Sequence, residues 1–100
     1  MQLNEYQDFI SNKWRYRKDE NGLRHLFVIC TGLAGEVGEV LEPIKKSIRD
    51  PAYKLDLSAL KLELGDVLSY LTKIADFYDM TLQEVMDANA VKLKDRFKIA

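Results

Sequence analysis

Residues 32–40 read GLAGEVGEV. Gly32, Gly35 and Gly38 stand in a segment whose flanks are strongly helical, and Glu36 and Glu39 lie three positions apart. A mid-helix glycine costs roughly 1 kcal/mol relative to alanine. Like charges one turn apart add on the order of 0.2–0.5 kcal/mol. The pattern then returns: ELGD, residues 63–66, sets Glu63 and Asp66 around Gly65. Repetition of a costly arrangement points to a use for it.

Outward from this stretch the chain reads as helix. Leu26, Cys30, Leu33, Val37, Val40 and Ile44 recur at alternating spacings of three and four, one face of a helix. Pro43 lies inside that pattern and is expected to kink or end the helix, because it lacks an N–H and its ring clashes with the preceding turn. IKKSIR then reads as a bent extension, and DPAY (50–53) as a loop. Upstream, a first helix is predicted from Asn4, as N-cap, to about Tyr16, with RKDENG (17–22) as a turn. Downstream, a third helix is predicted from Asp56 or Ser58 to Tyr78, with a wide apolar stripe including Leu57, Leu60, Leu64, Leu68 and Leu71. MTLQEV (80–85) carries a capping box, Thr81 as N-cap and Glu84 at N3, and opens a fourth helix that runs to the end. The expectation is a compact all-α, four-helix bundle-like domain over residues 1–100. Its short connections favour antiparallel neighbours, and its stripes are completed by oligomerisation.

Composition narrows the class. With 47% hydrophobic and 31% charged residues the chain is an ordinary globular one, not a disordered one. A net charge of −1 gives no field that would draw it to nucleic acid or to an anionic membrane. Cys30, the single cysteine, cannot form an internal disulfide and is expected to pack inside, in a reducing, cytoplasmic setting. The opening residues do not read as a secretion signal, and no apolar run approaches membrane-spanning length.

The acids carry the chemistry. Residues i and i+3 share a helix face, so each of two consecutive helices offers a pair of carboxylates. The spacing between Glu39 and Glu63 leaves room to finish one helix, turn and enter the next, so antiparallel packing can converge both pairs. One such pair is ordinarily a solvated face. Two pairs on consecutive helices, each with glycine inside, argue for a site. Carboxylates gathered this way repel one another, and a divalent cation resolves the conflict. All-oxygen ligands favour Mg2+, with Mn2+ as a substitute. A di-iron bundle would need Glu-x-x-His motifs. The lone histidine, His25, has no glutamate three before it.

GLAGEVGEVLEPIKK, followed by LKLELGDVLSYLTKIADFYDMTLQEVMDANAVKLKDR, resembles the single-domain MazG-like nucleotide pyrophosphohydrolases of the all-α NTP pyrophosphatase superfamily. That signature is E-x-x-E on one helix and E-x-x-D on the next, filled here by Glu36, Glu39, Glu63 and Asp66. EYQ (5–7) fits the opening of many members, and N-x-x-K-L-x-x-R appears as Asn89, Lys92, Leu93 and Arg96. The resemblance implies a metal-dependent hydrolase that converts a (deoxy)nucleoside triphosphate to the monophosphate and pyrophosphate, in nucleotide-pool control. It implies Mg2+ on the four acids, and dimers or tetramers whose sites draw on neighbouring subunits.

Around that core, Asn89, Lys92 and Arg96 share a face of the last helix and suit phosphate contact. Lys45 and Lys46 are helpers or an exposed pair. Tyr70, one turn after Asp66, lines the pocket or stacks on the base. Two other readings stand beside this one. The first is a non-catalytic bundle that binds metal or nucleotide in a regulatory role. The second is a single-stranded nucleic-acid module built on KWRYRK (13–18), where cations alternate with aromatics.

Overall fold

The structure, a computed structural model, describes residues 1–13 and 22–98. Among these are four α-helices and no strand: α1 (Leu3–Lys13), α2 (Gly22–Arg49), α3 (Leu57–Phe77) and α4 (Leu82–Phe97). α2 and α3 form the central pair. α1 lies across α3 and α4, and α3 meets α4 beside their shared turn; among the described residues neither α1 nor α4 touches α2.

The termini follow from capping chemistry. Asp56 accepts the Ser58 and Ala59 N–H groups at 3.0 and 3.2 Å and starts α3. Thr81 starts α4 through the expected reciprocal box with Glu84. α1 differs from expectation: it begins at Leu3, so Asn4 lies within it. The Gln2 N–H, just before the helix, donates to Glu5 Oε1 at 3.0 Å, the N3 half of a capping box. The expected continuation of this helix to Tyr16, and most of the RKDENG turn, fall outside the described residues.

Of the two outcomes expected at Pro43, termination does not occur, and α2 continues to Arg49. The proline deprives the Glu39 carbonyl of its helical donor. Glu39, Leu41 and Glu42 are exposed there, so water can take that donor's place.

A single side chain registers α1 against the rest. The Gln7 carboxamide is buried; its Nε2 donates to the Met80 carbonyl at 2.9 Å and its Oε1 accepts the Leu82 N–H at 2.7 Å. It thereby satisfies backbone groups on either side of the α4 N-cap, which burial would otherwise leave costly. Ile10, Ile29, Val40, Ala75 and Leu82 form the buried apolar core.

Much apolar surface remains uncovered. Leu23, Phe27, Val37, Leu41 and Ile48 are exposed along α2, and Leu57, Leu64, Leu68 and Leu71 along α3. Cys30, expected inside, is exposed with them. Its helical spacing does put it among apolar residues, but among the described residues no element covers that strip. An apolar groove of about 530 Å³ runs between α3 and α4, walled by Leu68, Leu71, Ile74, Met80, Val85 and Met86. The Cα radius of gyration is 16.5 Å. A chain of this length closed on its own core has about 13 Å.

Candidate metal centre

The α2–α3 seam holds the acids. Glu36 from α2 and Glu63 and Asp66 from α3 each present a carboxylate oxygen, and these oxygens lie within 4.8 Å of one another. Helical periodicity gathers them: Glu63 and Asp66 are one turn apart on α3, and the antiparallel α2 delivers Glu36 from across the seam. The spacing is right for one cation to bridge, and too close for unscreened anions to be indifferent. Partial burial, and then the charges of Asp66, Glu39 and Glu36, hold the Glu63 carboxyl above its ordinary range. An all-oxygen set of this kind fits a hard divalent cation.

Glu39 does not join these three. It is exposed on the next turn of α2, close enough to act on Glu63 electrostatically. There it lines a cavity of about 280 Å³ together with Glu63, Lys46, Tyr53 and Asp56. Both lysines that follow Pro43 pair with Glu42, Lys45 at 3.2 Å and Lys46 at 4.0 Å, but only Lys46 lines this cavity. The polar cavity therefore adjoins the carboxylate group and offers it an open side.

The glycines find their use one at a time. A Cβ on Gly32 would lie inside the van der Waals envelope of the Tyr70 ring, 2.8 Å from Cζ. Gly32 thus lets α2 accept Tyr70 from α3, one turn before Glu36. Beyond their own helix, no described residue comes within 4 Å of where a Cβ on Gly35, Gly38 or Gly65 would stand, so no close approach among the described residues requires them. The half-buried Tyr70 forms a wall of the seam, and the Lys73 Nζ sits 4.0 Å from its ring centroid.

Asn89, Lys92 and Arg96 are not brought to this cluster within the chain. All three are exposed on α4, which does not touch α2 among the described residues. Asn89 lines the apolar groove instead, and the Arg96 guanidinium lies 5.6 Å from the Phe97 ring centroid. The KWRYRK stretch lies almost wholly outside the described residues.

Two neighbours of the cluster escape sequence reasoning. Tyr6 on α1, which packs against α3, has its phenol pushed up by burial and then by the Asp66 charge. Lys73 on α3 is buried with its Nζ over the Tyr70 ring. A signal for Lys73 exists: it is a lysine within an apolar stripe, two turns past Asp66 on the same face.

The sequence pattern of the MazG nucleotide pyrophosphohydrolase domain matches residues 28–99. Gene 37 protein of Mycobacterium phage L5 is 33% identical over 81 residues, spanning 78% of this chain and 71% of that protein. No solved structure matches the chain. Because the matched span covers most of the chain and contains both acid pairs, α3 and α4, the chain belongs to the MazG nucleotide pyrophosphohydrolase family.

Proposed function

We propose that this chain is a single-domain enzyme that hydrolyses a (deoxy)nucleoside triphosphate to the monophosphate and pyrophosphate, drawing on Mg2+ or Mn2+. The observation that carries the proposal is the convergence of Glu36, Glu63 and Asp66 from two helices, with their oxygens within 4.8 Å. Glu36, Glu63 and Asp66 would hold the cation, and Glu39 would stand as the fourth acid at the cavity edge. The cation, when bound, lowers the pKa of a water and offsets charge developing on phosphate oxygens.

The chain's own groups do the rest. Glu39, outside the three-oxygen group and facing the cavity, is placed to accept the proton of the attacking water on a carboxylate oxygen. Lys46 supplies positive charge at the mouth of that cavity for the polyphosphate. Tyr70 closes the seam against Gly32 and limits water there. Such an enzyme would serve nucleotide-pool control in the cytoplasm, where the exposed thiol of Cys30 stays reduced.

The uncovered strips of α2 and α3 and the large radius support assembly with further copies of the chain, as a dimer or tetramer. In such an assembly the phosphate-binding candidates Asn89, Lys92 and Arg96 would act in a site shared between subunits.

Pyrophosphate release from a panel of nucleotides in Mg2+ buffer tests the activity. The expected result is turnover of at least one triphosphate, abolished by Asp66→Asn with the helical circular dichroism retained. Undiminished turnover in that variant would remove the assigned site. Nucleotide-dependent stabilisation without product would identify a silent binder instead.

A further inference from the structure

The connection between α2 and α3 is shaped by its aspartates. The Asp50 side chain accepts the Ala52 N–H and the Asp50 carbonyl accepts the Tyr53 N–H, both at 3.0 Å. Asp56 caps α3 at the other end. Aspartates that bond nearby backbone in this way fix a turn. Tyr53 is thereby held on a set loop, with 39% of its surface exposed and its hydroxyl without a partner among the described residues.

Tyr53 lines the cavity of about 280 Å³ that adjoins the carboxylate group. Sites that enclose a whole drug-sized ligand measure roughly 300–1,000 Å³, so this one has room for one end of a nucleotide. The partners of its acids decide which end. Glu42 pairs with Lys45 at 3.2 Å, Asp56 Oδ1 accepts two backbone N–H groups of α3, and Glu63 stands with Glu36 and Asp66. Glu39 is the acid left open. Once the acids are ionised, Lys46 and Tyr53 are the only side-chain donors among the described residues that line the cavity. Glu42 holds Lys46 only loosely, at 4.0 Å. An ammonium and a phenol O–H side by side suit phosphate oxygens, which only accept.

We propose that this cavity receives the terminal phosphate of the substrate, with the Tyr53 hydroxyl donating to a phosphate oxygen beside the Lys46 ammonium. This rests on the reading of the chain as a triphosphate pyrophosphohydrolase. The nucleoside then lies outside the cavity, and the Tyr53 loop reads the length of the phosphate chain rather than the base.

Calorimetric titration of the full chain in Mg2+ buffer, with inorganic pyrophosphate and separately with a panel of nucleoside monophosphates, tests this beside the turnover assay. Tyr53→Phe keeps the ring and removes the hydroxyl. It should weaken pyrophosphate binding about tenfold and raise KM for the triphosphate by a similar factor, because one hydrogen bond to a charged acceptor is lost. Monophosphate affinity and melting temperature should stay at wild-type values. Pyrophosphate affinity unchanged in Tyr53→Phe, or no saturable pyrophosphate binding in an active wild type, overturns the role of Tyr53 and leaves the proposed activity standing. Weakened monophosphate binding with pyrophosphate binding intact would put the nucleoside on Tyr53 and overturns the proposal likewise. A wild type that releases pyrophosphate from no triphosphate removes the activity, and this proposal with it.

Discussion

The α2–α3 seam and the α3–α4 groove share one helix and differ in almost everything else. The seam is polar, and its three closest acids come from within the chain. The groove, about 530 Å³ and walled by leucine, isoleucine, methionine and valine, has none of the described residues laid into it. One face of α3 thus carries a carboxylate group that two helices of the chain gather between them, and another carries apolar surface that water should not be left to cover. The contrast teaches that a small helical domain can gather charged groups at one seam while leaving apolar surface open at another.

The sharpest way to break this comparison is within the seam itself. Glu36→Gln removes a member of the three-oxygen group and should reduce pyrophosphate release at least about a hundredfold, above the range for residues that merely support a ligand. Glu39→Gln should lose catalysis while keeping Mn2+ affinity near wild type, because Glu39 stands outside that group. Equal losses of affinity in the two variants would erase the distinction.

On the groove side, Leu71→Glu places a charge in the apolar wall and should shift the assembly towards monomer in light scattering, with helicity retained. An unchanged mass would mean that some other strip, such as that on α2, makes the contact.

Gln7→Leu tests the link between the regions. It orphans the Met80 carbonyl and the Leu82 N–H, at about 1–3 kcal/mol for each group, read by urea unfolding.

The smallest effect concerns pH. The Glu63 carboxyl has a raised pKa in the folded chain, so it favours folding while protonated and opposes it as pH rises through that pKa. Glu63→Gln is neutral throughout. In chelator it should match wild type in melting temperature at acid pH and exceed it at neutral pH. A gap that shrinks with rising pH would reverse the assignment.

Local signals in the sequence proved readable. Asp56 and Thr81 cap the helices expected of them. Long-range placement was not. Spacing puts Cys30 in an apolar strip but cannot say whether another helix covers it. It pairs Glu36 with Glu39, yet the rotation of α2 against α3 decides which of them reaches Glu63 and Asp66. The work of Gln7 depends on a meeting with Met80 and Leu82, more than seventy positions away, and no local pattern encodes such a meeting.

The Gln7 carboxamide also carries a consequence for α1. Apolar surfaces tolerate sliding, because one methyl group substitutes for another. A donor and an acceptor on one planar group do not, since each must find its own backbone mate. A one-residue slip of α1 would put Tyr6 or Asp8 where the amide sits, and would carry the phenol away from Asp66. Two hydrogen bonds therefore act as a ruler, setting how far along α1 the chain meets the start of α4.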